Sequence, residues 1–194
     1  MKSLKKLLEL KKSIRVLGFD DVPFEFNDLK TNIIGSFCIN TKFEGMLFSE
    51  VDKDGNNSTD VLIETISKSK FYDQTNIILL DGIAFGGFNV IDINKLFDNL
   101  KIPVVSLMRK LPDLKKIEKA LNNLPDCKEK INLLKKAGEI YNFHPFYFQV
   151  AGEEKDIINE TLIQLTTNSN IPEALRISHL IGSSLKTGES SRRA

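Results

Sequence analysis

The sequence predicts an α/β fold: a mixed sheet, with a three-stranded antiparallel meander followed by parallel strands, flanked by helices. Three observations predict it. Three strand-like segments open the chain with only turns and loops between them. Two short, wholly apolar runs then alternate with helix-periodic segments, the pattern of strands buried on both faces and joined by crossover helices. One of those runs, Ile77-Ile78-Leu79-Leu80, stops abruptly at Asp81-Gly82, and strand ends of this kind are where open α/β sheets place their ligands.

Residues 2–10 put Leu4, Leu7 and Leu8 on one helical face among lysines, which suits a short basic docking helix. Ser13 to Asp20 reads as the first strand, closed by the acidic pair Asp20-Asp21 and by Pro23. Ile33 to Ile39 and Met46 to Val51 are the second and third strands, with Asn40-Thr41-Lys42 as their hairpin turn. Asp52 to Thr59 is polar and rich in turn residues. Ser58 or Thr59 then caps a helix with Val61, Leu62, Thr65 and Ile66 on one face. Asp52, Asp54, Asn56 and Asn57 superficially suggest a calcium loop, but the fixed ligand positions and closing glutamate of an EF-hand are missing.

Asn76 to Asp81 is the fourth strand. A loop with the pair Gly86-Gly87 leads into a helix from Val90 to Leu100, stopped by Lys101-Ile102-Pro103. Val104 to Met108 is the fifth strand and exits into Arg109-Lys110. Right-handed crossovers make these strands parallel. Helices follow from Pro112-Asp113 to Leu121 and from Cys127 to Ala137, then an edge or late strand from Phe146 to Val150. Gly152 to Thr166 is helical, with Ile157, Ile158, Leu162 and Leu165 as its apolar face. After the turn Asn168-Ser169-Asn170, Pro172 and Glu173 suit the first turn of a last helix ending near Leu185. Residues 1–12 thus form a basic helix, 13–186 the domain and 187–194 a flexible tail.

The 194 residues are 41% hydrophobic and 27% charged, as in an ordinary globular protein. A net charge of +1 offers no global attraction to nucleic acid, so local basic patches would have to supply it. Cys38 lies in an apolar strand pattern and reads as a buried free thiol, and two histidines with two unclustered cysteines argue against a zinc site. No run approaches the roughly 20 apolar residues that span a bilayer, and the basic start lacks the apolar stretch of a secretory signal. The expectation is a cytoplasmic protein without membrane association; no protein partner can be inferred.

The element order, three strands, helix, strand, helix, strand, then helices, is that of ribonuclease H-like folds. There the first and fourth strands lie side by side at the sheet centre, so Asp20 and Asp81 would bring their carboxylates together. Two close carboxylates repel and raise one pKa unless a cation sits between them. Hard divalent ions, chiefly magnesium, are the natural partner, and such ions serve phosphodiester cleavage. Taken singly, Asp20 and Asp81 also suit turn formers. Gly82, Gly86 and Gly87 suit either positive-φ turns or an anion-holding loop.

The segments Asn76 to Gly82, Ile102 to Arg109 and Ile171 to His179 resemble three signature segments of endonuclease V, in the same order. A fuller set, comprising Ile14 to Asp21, Asp54-Gly55 to Thr59, Asp81 to Asn89, Ala151-Gly152 and Pro172 to His179, is still more similar to the uncharacterised archaeal endonuclease V-like family (domain of unknown function family ninety-nine). The resemblance covers about residues 13 to 191 and implies a nuclease that uses magnesium or manganese on DNA or RNA. It implies that Asp20 is the first metal-binding aspartate and Asp81 the second. The third carboxylate of endonuclease V, near the start of the first core helix, falls nearest Asp60, with Glu64 one turn on. Asn57 stands where the closer family usually has an aspartate. Arg109 stands where endonuclease V has a lysine, as a phosphate contact. Arg176 and His179, three positions apart, can both face the site, although Arg176 equally suits a surface ion pair and His179 a helix-packing role.

The resemblance therefore implies Asp20, Asp81, Asp60, Arg109 and His179 as catalytic residues. Asp20, Asp81 and Asp60 would hold metal, while Gly82, Gly86, Gly87 and Arg176 would contact substrate. Two departures stand out. The aromatic–proline wedge of endonuclease V is replaced by Asp52 to Thr59, which has no aromatic residue, and Ile83 stands where endonuclease V has a histidine. A non-catalytic nucleic-acid binder and a small nucleotide-binding protein are the alternative readings.

Overall fold

The computed structural model describes residues 3–167 and 169–191. From the N-terminus its elements are α1 (Leu4–Glu9), β1 (Arg15–Asp21), β2 (Lys30–Ile39), β3 (Lys42–Asp52), α2 (Ser58–Ser67), β4 (Ile77–Asp81), β5 (Ala84–Phe85) and β6 (Asn89–Val90). They continue with α3 (Ile93–Leu100), β7 (Val104–Met108), α4 (Leu114–Leu121), α5 (Cys127–Lys136), β8 (Tyr141–Phe143), β9 (Phe146–Ala151), α6 (Lys155–Gln164) and α7 (Glu173–Thr187). Seven strands make one sheet in the order β3-β2-β1-β4-β7-β9-β8. β1 to β3 form the expected antiparallel meander, and β1, β4 and β7 run parallel. The α/β, ribonuclease H-like mixed sheet is therefore present.

Alternation along the central strands explains the layers. Leu17, Phe19, Ile78 and Leu80 face one core, with Leu62 and Ile66 of α2 and Leu96 and Leu100 of α3. Val16, Ile77, Leu79 and Val105 face the other, with Leu4 and Leu7 of α1, Ile158 and Leu162 of α6 and Leu175 of α7. The short N-terminal helix is thus a docked helix, its leucines spent on the core. Cys38 is a buried free thiol, pushed up to about 12 by burial. Among the described residues no helix is long and apolar enough to cross a membrane.

Several elements differ from the sequence expectation, β2 and β3 among them, which begin at Lys30 and Lys42 rather than Ile33 and Met46. β9 is an interior strand, antiparallel to β7, because the three-residue β8 pairs along its outer side. β8 is too short to carry a periodic signal. Asn89 and Val90 form a two-residue hairpin strand with Ala84 and Phe85, so α3 begins only at Ile93. The last helix runs on to Thr187, where Gly188 adopts a left-handed conformation and ends it. Of the expected tail, residues 192–194 lie outside the described residues, as do Asn168 of the expected turn and residues 1 and 2.

α7 matters most for function, because it crosses β1 at close range. A Cβ on Gly18 would lie 2.7 Å from the backbone of Ala174, so only glycine lets the helix seat this closely. The Ser178 hydroxyl donates to Gly18 O at 2.7 Å, accepts from Ser36 N–H at 3.0 Å and lies 2.9 Å from the Ser36 hydroxyl. Gly18 and Ser36 face each other across β1 and β2. One buried hydroxyl thereby ties the helix to two strands, one residue before His179. Ser178→Ala strips partners from buried backbone groups and should cost about 1–3 kcal/mol in denaturant unfolding.

On the opposite layer Asp92 caps α3, accepting from Lys95 N–H at 3.0 Å, and pairs with Lys136 of α5 at 2.5 Å. Burial pushes its carboxyl up, but the Lys136 ammonium and the cap N–H groups outweigh that and hold it below the ordinary carboxylate range. A depressed folded-state pKa stabilises the protein above the unfolded pKa, and that contribution is lost as pH falls through the folded value. Asp92→Asn keeps a capping acceptor. It should be less stable than the parent at pH 7 by up to about 1 kcal/mol, and the difference should vanish as the pH falls below the ordinary carboxylate range.

Candidate active site

The parallel register of β1 and β4 sets Phe19 opposite Leu80. Asp20 and Asp81 are the next residue on each strand, so both carboxylates emerge side by side on the face covered by α7. From α7, His179 Nδ1 lies 2.9 Å from Asp20 Oδ2. From the end of β7, the Arg109 guanidinium donates to Asp81 Oδ2 at 2.8 Å. One ligand atom each from Asp20, Asp81 and His179 lie within 4.8 Å of one another, and this is the one such group among the described residues. The two carboxylates suit a hard divalent cation such as magnesium or manganese, and the imidazole adds a nitrogen donor that borderline metals favour.

The electrostatics are those of a crowded acidic cluster. Burial, reinforced by the charge of Asp20 and opposed by Arg109, raises the Asp81 carboxyl above its ordinary range. The hydrogen bond to Asp20 raises the His179 imidazolium. Asp21 joins them from the other face of β1, its Oδ2 accepting from Gly86 N–H at 2.7 Å. Burial first, and then the charges of Asp20 and Asp81, push Asp21 up to about 6. Three acids thus share one negative field balanced by His179 and Arg109. Asp21 was missed in the sequence because strand alternation points it away from Asp20; its signal was the acidic pair itself.

Two of the three loop glycines meet the chain's own carboxylates. Gly82, at φ +96°, turns the backbone after Asp81, and its N–H is taken by Leu107 O at 2.8 Å. Gly86 N–H holds Asp21, and Gly87 packs directly on the Asp54 carboxylate, which accepts from Phe88 N–H at 2.8 Å. The anions that meet Gly86 and Gly87 are thus internal ones, and the Gly82 N–H is spent on a backbone carbonyl. Asn57, at the place of an expected aspartate, is a knot. Its Oδ1 accepts from Asp52 N–H and Asn89 Nδ2, and its Nδ2 donates to the Asp52 carboxylate at 3.0 Å. A neutral amide fits because both donor and acceptor are needed there.

The remaining expected site residues have partners of their own. Asp60 lies on the solvent side of α2, paired with Lys95, because Leu62 and Ile66 turn the opposite side of that helix into the core. Glu64 pairs with Lys68 on the same helix. Neither joins the Asp20–Asp81–His179 group. Arg176 makes a two-pronged ion pair with Glu173, at 2.8 and 2.5 Å, so its charge is spent on its own helix. Arg109, expected at a phosphate, here neutralises Asp81.

Two cavities adjoin the ends of β4 and β7. One, of about 500 Å³, is basic and lined by Arg109, Lys110, His144 and Tyr147. The other, of about 640 Å³, is apolar and lined by Ile83, Met108, Pro112, Ile131 and Leu134. The Asp52 to Asn57 loop is braced from α5. Lys130 is fully buried, and its ammonium donates to Gly55 O at 2.6 Å, Asn56 Oδ1 at 2.7 Å and Asp54 O at 3.1 Å while pairing with Asp126 at 3.1 Å.

Comparison with known proteins places the chain in a family and a fold. A family model described as endonuclease dU matches residues 12–186. A UPF0215 protein of Methanosarcina barkeri is 40% identical over 190 residues, covering 95% of this chain and 97% of the relative. A crystal structure of an Archaeoglobus fulgidus protein superposes with a TM-score of 0.85 at 36% identity, covering 90% of this chain and 99% of that one. The fold is also similar to Ciona intestinalis endonuclease V, solved in complex with a 24mer DNA containing an inosine, with a TM-score of 0.55 at 13% identity over 87% of this chain and 84% of that one.

The Lys130 brace can be checked directly. Lys130→Met leaves three loop oxygens without their donor and should cost roughly 2–4 kcal/mol in unfolding experiments, with new protease cleavage inside residues 52–57.

Proposed function

The chain belongs to the endonuclease dU family, and from that membership and the Asp20–Asp81–His179 group we propose that it is a divalent-metal-dependent nuclease hydrolysing nucleic-acid phosphodiesters. The single observation that carries the proposal is the convergence of two strand-end carboxylates and one imidazole within 4.8 Å. Asp20 and Asp81 would hold the ion through carboxylate oxygens, and His179 would become the third donor once the ion takes the place of its proton. A bound magnesium or manganese ion supplies Lewis acidity toward a phosphoryl oxygen and lowers the pKa of a water. The residues do the rest. Burial of Asp20 and Asp81 keeps their oxygens fixed and poorly hydrated, so they are ready to be neutralised. Arg109, whose partner Asp81 is then satisfied by the ion, has its charge left for a substrate phosphate, and Lys110 and His144 extend that positive lining. α7 sets the imidazole in place through Ser178.

DNA is the substrate class to try first, because the family description names dU and a fold neighbour was solved on inosine-containing DNA. A panel of single- and double-stranded DNA bearing deoxyuridine, inosine or neither, with RNA counterparts, should give metal-dependent strand cleavage that chelator abolishes. Asp20→Ala and Asp81→Ala should each lower the rate at least about 100-fold, more than the loss of a group that merely orients a metal ligand. No cleavage of any strand, or cleavage indifferent to chelator and to Asp81→Ala, would overturn the proposal. The ion pairs His179–Asp20 and Arg109–Asp81 already balance the acids, and this observation favours one second reading, a non-catalytic binder. Its signature is salt-sensitive nucleic-acid binding that chelator leaves unchanged.

A further inference from the structure

The loop from Val22 to Leu29 leaves β1 directly after Asp20 and Asp21, and it carries the two most exposed large apolar side chains among the described residues, Phe26 at 90% and Leu29 at 85%. The loop is braced all the same. Glu25 N–H donates to the Asp28 carboxylate at 2.7 Å and Asp28 N–H returns to Glu25 O at 3.2 Å. Lys186 of α7 pairs with both Glu25 and Asp28, at 3.3 and 3.4 Å. The Lys53 ammonium donates to Phe26 O, and it lies 4.8 Å from the Phe26 ring centroid and 5.8 Å from that of Phe24. Lys53 N–H donates to Leu29 O at 2.8 Å. The Phe26 ring is therefore held near a cation on a closed turn while almost nothing covers it. An apolar ring held in water does little for folding; a planar face backed by a cation is what an unpaired base stacks on.

Its place in the fold identifies the occupant. A Cβ on Gly86 would lie 3.5 Å from Lys53 Cα, and Gly86 N–H holds Asp21, so the loop borders the acidic cluster. The sheet order β2-β1-β4-β7 puts Asp20 and Asp81 between this loop and the Arg109–Lys110–His144 cavity beyond β7. A single strand crossing the ends of β1 and β4 meets an aromatic face on one side and cations on the other. The Asp52 to Thr59 segment carries no aromatic residue, but the fold brings Phe24 and Phe26 to Lys53 from a different loop. We propose that Phe26, with Lys53 beside it, is a stacking platform for an unpaired nucleobase of a single-stranded nucleic acid lying across the Asp20–Asp81 site; this rests on the nuclease reading above.

The chain has no tryptophan, so Phe26→Trp places a sole indole at the platform, and the exposure of the site spares the fold. Titrating this variant with a single-stranded DNA oligonucleotide, with and without magnesium, should quench indole emission in step with the rise in anisotropy of the labelled strand. A strand of abasic sugar-phosphate should bind without quenching. Phe26→Ala should weaken binding about 5-fold or more, the lower end of what one stacked base contributes. Binding to Phe26→Trp without quenching, or to Phe26→Ala with parental affinity, overturns the platform and leaves the nuclease reading intact. Quenching by a strand that no metal enables the parent protein to cut keeps the platform and removes the nuclease. A strand neither bound nor cut by the parent removes both.

Discussion

Three carboxylates crowded at the ends of two neighbouring strands impose a charge that the rest of the molecule is arranged to balance. Like charges this close cannot all ionise without compensation, and each acid receives it from a different element. α7 brings His179 to Asp20, β7 brings Arg109 to Asp81, and the loop after β4 turns the Gly86 N–H toward Asp21. Each donor in turn depends on a structural device. The helix needs a glycine beneath it and a serine to tie it down, the strand needs its parallel register with β4, and the loop needs backbone conformations that glycine adopts freely. The acids are local in sequence; the balance is global in the fold.

The sheet was legible because its centre is so apolar. Ile77 to Leu80, short and bounded by turn residues, reads as a strand covered on both faces, and the order of elements then sets β1 beside it, which brings Asp20 to Asp81. His179 was legible only as one of two helix residues on a shared side, since nothing in a single helix says what its side chains meet. Asp60 shows the limit of motif matching. Its place near the start of α2 looked right, but Leu62, two residues on, turns about 200° away and takes the core side. Arg176 was consumed by a glutamate one turn back, a local pairing already visible as a three-residue spacing.

Gly86 and Gly87 look in sequence like a cradle for a foreign anion, and the anions they meet are Asp21 and Asp54. Lys130 was unreadable for a related reason. Its partners are mostly backbone carbonyls and an amide about 75 residues earlier, and a backbone carbonyl leaves no mark on composition. The aromatic face at Phe26 was hidden in the same way, separated in sequence from the lysine that steadies it. What remained illegible was consistently a contact between a side chain and a distant loop.

The buried ammonium of Lys130 also joins the Asp52 to Asn57 loop and α5 into one inheritable unit. Moving the loop alone into a relative without the amine strands its oxygens. Moving the helix alone under a loop of another length buries a cation with nothing to receive its protons, which is costlier still. Chimeras between relatives should therefore keep residues 52–136 from one parent, with crossover points placed outside that span.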